Sequence, residues 1–379
     1  MICAQTLVDE LEQRSLLFFV GVPDSLLQPL CSVLEALPPD RHCITANEGN
    51  AVGLAAGYFL ATRSPGVVYL QNSGLGNAVN PLLSLADPDV YAIPMLLIIG
   101  WRGRPGTPDE PQHAKQGRVT LESLEAMEIP TFIMDADSNV PSLLDSACQA
   151  MAIRSGPAAL VVCKDALLPM RADGRISEER YSLGREASLH RVISRLPDEA
   201  AIISTTGHIS RELYEYRQAT LYTARDFLTV GSMGHASSIG LGVALAQPDR
   251  KVVCLDGDGA LLMHLGALPI IGAQQVKNMI HIVFNNGAHD SVGGQPTAGF
   301  SCDFRRIALD SGYALAYYAE TIEEIDAALK EALCSNGPAF LEIRVRRGAR
   351  KDLGRPQTSP RYNRDAFMAH MEKQTCTGE

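Results

Sequence analysis

Along this chain the hydrophobic positions fall in short unbroken runs, not in alternation with polar ones. They occur at Leu17–Val22, Val67–Gln71, Pro94–Gly100, Thr131–Met134 and Ala158–Cys163. A second series follows at Ala201–Thr205, Phe227–Val230, Lys251–Leu255, Met279–Asn285 and Ala339–Val345. Such runs predict strands covered on both faces, as in a parallel sheet. Segments rich in Ala and Gly, such as Asn50–Thr62 and Ser237–Ala246, lie between them and predict helices able to pack close against a sheet. The fold class expected is α/β, with two domains, each a central, mainly parallel sheet flanked by helices. The stretch 167–186, which includes RADGRISEERYSLGRE, breaks the rhythm and reads as a linker. The expected domains are therefore 1–166 and 187–379.

The last part of the chain differs again. Between Arg344 and Arg364 stand eight Arg or Lys residues against one acid, Asp352. A solvated basic surface is the simpler reading of that segment, an anion site near Arg350–Arg355 the other. For the whole chain of 379 residues the formal charge is −10, which argues against wholesale nucleic-acid binding. No apolar run approaches the roughly 18 residues of a membrane span. The N-terminus carries Asp9, Glu10 and Glu12 and no basic region, so no secretory signal is expected. Nine scattered cysteines without a CxxC pair read as reduced thiols in a cytoplasm.

The densest chemistry is VVCLDGDGALL at 252–262, followed by HIVFNNGAH at 281–289. A buried strand runs into Asp256-Gly257-Asp258-Gly259, and a helical segment follows. Glycines let backbone N–H groups approach an anion, and Asp258 offers a hard oxygen at the same place. Asn285-Asn286 ends the next strand, where ligands bind in open α/β sheets. Carboxylate, amide oxygen and backbone carbonyl suit a Mg²⁺ that also keeps phosphate oxygens. An EF-hand starting at Asp256 fails, because Ala260, Leu261 and Ala267 occupy its fifth, sixth and twelfth places. A Walker A loop fails for want of GK[ST]. Taken without its second element, DGDG is equally a glycine turn with a solvated Asp.

Gly257-Asp258-Gly259, then 25 residues, then Asn285-Asn286, resembles the signature of thiamine diphosphate-dependent enzymes. The resemblance implies Mg²⁺ ligands at Asp258, Asn286 and the carbonyl of Ala288, with thiamine diphosphate as cofactor and Gly257, Gly259 and Ala260 against it. Thr206 and Gly207, in IISTTGHISREL, resemble the first diphosphate-contacting loop; His208 stands there where Lys is more usual. Gly231-Ser232-Met233-Gly234-His235 resembles the loop whose bulky apolar residue props the cofactor. The resemblance places Met233 there, with Ser232 and His235 beside it; a core methionine is the plain alternative.

Glu48, in HCITANEGNAVGLAAGYFLAT, follows a short strand and opens an apolar helix. By itself it reads as an N-terminal helix Glu satisfying free N–H groups. The family's strand–Glu–helix context implies instead the carboxylic acid that hydrogen-bonds ring N1′ of the cofactor's aminopyrimidine. The loop NSGLGNAVN at 72–80 fails as a dinucleotide fingerprint, since Val79 takes the third glycine's place. In the family it lies near the pyrimidine, which assigns Gly74 to the cofactor.

A chain with space for two domains only matches the family's short branch, decarboxylases of the small 2-oxo acids phosphonopyruvate and sulfopyruvate. GVPDSLLQPL, NEGNAVGLAAGYFLAT, NNGAHDSVGGQPT and DLGRPQTSP are similar to the phosphonopyruvate side of that branch. The substrate would bear a carboxylate and a phosphonate, so hydrogen-bonding or cationic groups must meet it. Asp24 and Ser25 follow a strand end and are either active-site residues or a helix N-cap. His113 is either a proton donor or phosphonate ligand, or an exposed loop histidine; Lys115 is a further candidate. In the family the cofactor lies between two subunits, which implies a homodimer or larger homo-oligomer.

Overall fold

Residues 1–169, 181–220 and 225–372 are described from a computed structural model. They separate into two compact units, 1–169 and 181–372. Most of the expected linker lies outside the described residues, as does Cys376; its last two positions, Arg185 and Glu186, open the helix Arg185–Arg195.

The first unit holds six strands: β1 (Phe19–Gly21), β2 (His42–Ile44), β3 (Gly66–Gln71), β4 (Met95–Gly100), β5 (Thr131–Met134) and β6 (Ala158–Val162). They pair in the order β2-β1-β3-β4-β6-β5, all parallel. Alternate side chains enter two separate cores. Phe19, Val67, Tyr69, Leu96, Ile98 and Leu160 pack on one face, Val20, Val68, Leu70, Leu97, Ile99 and Val161 on the other. Each fully buried side chain of this size stabilises by about 1.5–3 kcal/mol, so helices on both faces are demanded by the strands themselves.

The second unit holds β7 (Ala201–Ser204), β8 (Phe227–Leu228), β9 (Val252–Gly257), β10 (Met279–Asn285), a small antiparallel pair β11 (Ala288–His289) and β12 (Gln295–Pro296), β13 (Leu315–Ala319) and β14 (Ala339–Arg344). The main sheet runs β13-β14-β10-β9-β7-β8, again all parallel. Leaving the small pair aside, both sheets share one wiring. Numbered from each unit's own first strand, both read 2-1-3-4-6-5.

The wiring positions the chemistry. The chain passes from the first strand to an edge, then returns to the other side of that first strand. Strand order reverses there, and the carboxyl ends of the first and third strands frame a crevice. In the first unit these are the ends of β1 and β3, in the second the ends of β7 and β9.

The strand at 315–319 is absent from the hydrophobic runs. It is an edge strand with one buried residue of five, so the two-faced burial that marks the central strands is missing. The helix Glu48–Thr62 starts two residues earlier than the pattern indicates, because Asn47 caps it by accepting the Asn50 N–H at 3.0 Å. Among the described residues no helix is long and apolar enough to cross a membrane.

Candidate cofactor and active-site residues

In the second unit, β9 delivers Asp256 and Gly257 to the end of the sheet, and the helix Asp258–Met263 begins at once. The two acids of DGDG separate there. Asp256 is turned into the core, its Oδ2 3.3 Å from His281 Nε2 and its Oδ1 accepting the Gly257 N–H at 3.0 Å. Asp258 faces the cleft yet is only 2% exposed. Its carboxylate accepts from the Thr297 hydroxyl and, at 3.4 Å, from the Asn286 N–H. Burial pushes the carboxyl up to about 6, against those hydrogen bonds, and no cationic side chain is among the groups that shift it. A buried carboxylate with no countercharge is suited to a divalent cation.

The two asparagines also divide. Asn285 braces the neighbouring strand, donating to Glu342 Oε1 at 2.8 Å and to the Gly299 carbonyl at 2.9 Å. Asn286 lines the cleft with Asp258 and Ala288. Its Nδ2 donates to Asp290 at 2.6 Å, and its Oδ1 accepts the Ala288 N–H at 3.0 Å. The Thr297 N–H donates to the Gly287 carbonyl, which makes Ala288–Pro296 a non-hydrogen-bonded pair and leaves the Ala288 carbonyl outside the ladder. Carboxylate, amide and carbonyl oxygens thus gather at the ends of β9 and β10, a hard donor set of the kind Mg²⁺ takes.

The anion side of the cleft follows β7. Gly207 has φ +96°, a conformation that glycine tolerates, and opens the helix His208–Ala219 without a side-chain cap. The first N–H groups of that helix face no capping side chain, which suits a diphosphate. The Thr205 hydroxyl is buried without a partner, while the Thr206 hydroxyl accepts the Gly231 N–H at 3.2 Å and so ties this loop to the next. Met233 is half-buried and lines the cleft with Thr206, Gly257, Gly259 and Ala260; it is not a core methionine. Ser232 and His235 are exposed and are not among the residues lining the cleft; the His235 ring meets that of His264 at a tilt of 52°, centroids 4.3 Å apart. His208 lines the cleft; burial pushes its imidazole down to about 4, with Arg185 and Arg211 adding to the effect.

A buried network behind Asn286 escapes any reading of local spacing. Arg185 grips Glu212 at 2.9 and 3.0 Å, and donates to Asp290 at 2.9 Å. Asp290 in turn accepts from Asn286. Arg185 and Asp290 are 105 residues apart, so only the fold brings them together. The one local signal was Asp290 itself, a polar residue four past Asn286. Six of the eight basic residues of the C-terminal segment are exposed, in keeping with the solvated-surface reading, and several are met by carboxylates of the same unit. Arg344 pairs with Glu342, Arg350 with Glu186, Glu215 and Asp352, and Arg364 with Asp365.

In the first unit, Glu48 stands at the first turn of its helix and is 5% exposed. Its Oε2 accepts from Asn77 Nδ2 at 2.7 Å. Gly74 is pressed against the same carboxylate, and a Cβ there would overlap Glu48 Oε1. Asp24 and Ser25 do not cap a helix; the next one begins at Gln28 with Leu27 in the capping place. Asp24 is 1% exposed, and neither of its oxygens has a partner of normal geometry. Burial pushes its carboxyl up to about 6; nearby Arg102 and the N–H groups of residues 25–27 oppose this. His113 is also buried, on the first turn of the helix Pro111–Ala126, with Nδ1 unpartnered. The exposed-loop reading of His113 is thereby excluded. Lys115 points to solvent on the same helix.

Asp24 gives a stability prediction. Its carboxyl titrates at 3.8 when unfolded and near 6 when folded. The raised folded value means that Asp24 is tolerated below 3.8 and becomes a growing burden as pH rises through 6. Asp24→Asn removes that burden. The expected gain is up to about 3 kcal/mol at pH 8 and close to nothing at pH 4, read from urea unfolding at the two pH values.

Residues 1–125 match the family model described as thiamine pyrophosphate enzyme, N-terminal TPP binding domain, and residues 205–343 match the C-terminal TPP binding domain. A phosphonopyruvate decarboxylase of Streptomyces viridochromogenes is 38% identical, over 95% of this chain and 92% of that one. One of Streptomyces hygroscopicus is 35% identical over the same shares. A sulfopyruvate decarboxylase of Methanosarcina acetivorans is 32% identical, over 69% of this chain and 70% of its own.

Proposed function

The chain belongs to the thiamine pyrophosphate enzyme family, and we propose that it decarboxylates 3-phosphonopyruvate to phosphonoacetaldehyde and CO₂. Its cofactors are thiamine diphosphate and Mg²⁺. The observation that carries the reading is the gathering of Asp258, Asn286 and Ala288 at the ends of β9 and β10, beside the uncapped helix start at Gly207. When bound, thiamine diphosphate supplies the electron sink into which a 2-oxo acid loses CO₂.

The chain's own residues supply position and protons. Asp258, Asn286 and the Ala288 carbonyl would hold Mg²⁺; Thr206, Gly207 and the Gly257–Ala260 turn would hold the diphosphate. Met233 would support the cofactor as an adaptable apolar prop. Glu48 would share a proton with N1′ of the pyrimidine, with Asn77 fixing the carboxyl's direction. Asp24, Ser25 and His113 meet the substrate, and the low proton affinity of buried His113 leaves it neutral, able to accept or relay a proton at neutral pH.

The decisive assay is coupled detection of phosphonoacetaldehyde from phosphonopyruvate, with and without thiamine diphosphate and Mg²⁺. Aldehyde that depends on both is expected. Sulfopyruvate is the second reading, favoured by the 32% identity to a sulfopyruvate decarboxylase. A higher kcat/KM for sulfopyruvate would select it. The family arrangement supports a homodimer or larger homo-oligomer, which sedimentation reads directly.

Gly74 offers a clean steric test of the Glu48 assignment. Its φ of −77° is open to any residue, so Gly74→Ala adds one methyl without backbone strain. That methyl displaces the Glu48 carboxylate, and kcat should fall about 100-fold while the protein still binds thiamine diphosphate. Unchanged kcat would show that the carboxylate's place is not critical.

A further inference from the structure

A substrate with two anionic groups needs a cation at each end or a strong set of donors, and the obvious cations are committed elsewhere. Lys115 faces solvent, Arg350 is shared among three carboxylates, and Arg104 stacks over the Trp101 ring at 5.5 Å. Arg102 is different. It follows β4 directly, and its Nη1 donates to Ser25 Oγ, beyond the end of β1, at 2.8 Å. Those two strands flank β3, so the guanidinium reaches across the crevice where strand order reverses.

The residue is held on every side. Asp109 takes Nε and Nη2 in a two-pronged pair at 2.8 and 2.5 Å. Buried Asn72, after β3, accepts the Arg102 N–H at 3.2 Å and donates to its carbonyl at 2.8 Å. These bonds engage three of the five guanidinium N–H groups and leave two for a ligand. Among the described residues of this unit the buried polar atoms without a partner are both oxygens of Asp24, Oε1 of Gln112 and Nδ1 of His113; Arg102 exerts its charge on Asp24 and His113. An unmet buried polar atom costs about 1–3 kcal/mol; His113 Nδ1, when it carries the proton, can donate to a bound anion, whereas the Asp24 oxygens need a donor.

We propose that Arg102, with Ser25, binds the phosphonate of the substrate and sets its preference for 2-oxo acids that carry a second anion. A planar guanidinium fork matches a tetrahedral oxyanion better than a lysine does, and Asp109 fixes the fork before the ligand arrives. The inference rests on the function proposed above.

The probe is phosphonoacetate, which carries the two anions without the reactive carbonyl. Trp101, the chain's one tryptophan, is the neighbouring residue and reports binding by its fluorescence. Saturable quenching is expected in the wild type loaded with thiamine diphosphate and Mg²⁺. Arg102→Gln should weaken phosphonoacetate about 30- to 100-fold, and Arg102→Lys should recover part of that loss. In turnover, KM for phosphonopyruvate should rise far more than kcat falls, while binding of pyruvate should stay within about threefold. Equal phosphonoacetate affinity in wild type and Arg102→Gln overturns the inference, as does an equal loss for pyruvate. Failure of wild-type aldehyde formation would strike the proposed function alone, because the titration reads Arg102 without turnover.

Discussion

Glu48→Gln leaves a protein that binds thiamine diphosphate within about tenfold of the wild type and turns over at least about 1000-fold more slowly. The substitution keeps the side chain's volume in a place where Gly74 leaves no slack. It keeps an oxygen for the Asn77 amide at 2.7 Å. It removes only the capacity to hold and give up a proton. In the proposed reading the cofactor is held by Asp258, Asn286 and the Gly257–Ala260 turn, so affinity is spared while kcat collapses. Steady-state kinetics with a cofactor titration separate the two effects. Normal turnover in Glu48→Gln would remove this carboxyl from the mechanism.

Asp258→Asn should act in the opposite sense, on retention of the cofactor. The amide keeps the shape but has a single acceptor oxygen, so it keeps only one of the two bonds that Thr297 makes to Oδ2 and the Asn286 N–H makes to Oδ1. It lacks the charge that makes the trio of oxygens a divalent-cation site. Loss of an outer-shell partner commonly costs 10–100-fold in metal affinity, and loss of the charged ligand itself should exceed about 100-fold. Calorimetric titration with Mg²⁺ and thiamine diphosphate measures it. The melting temperature gives an independent reading: the two ligands together should raise that of the wild type and leave that of the variant unmoved. Tight Mg²⁺-dependent binding in the variant would mean that the metal sits elsewhere.

The strands at the centre of each sheet were legible because burial on both faces leaves nothing but apolar residues. Met279–Asn285, buried at every position, coincides with the run that predicts it. Edge strands were less legible: Leu315–Ala319, with one buried residue of five, was missed, although Thr131–Met134, also at an edge, was found. At the site, Asp258 and Asn286 were singled out from glycine turns at strand ends, and Met233 from the family resemblance; all three line the cleft. His235, on the same loop as Met233, is not among the lining residues. Arg102, Asn72, Asn77 and the Arg185–Glu212–Asp290 network were invisible. Each acts through a partner brought close by strand order, and no spacing along the chain records that.

The shared 2-1-3-4-6-5 wiring has a consequence for ancestry. One blueprint, copied and fused end to end, would leave this result: two modules with corresponding mouths and divergent tenants. Behind corresponding second strands, one module carries the acid and the other a methionine loop. Behind corresponding third strands stand an asparagine–glycine turn and the aspartate proposed to hold a metal. The molecule's division of labour would then be the trace of a duplication whose two products specialised for opposite ends of a single coenzyme.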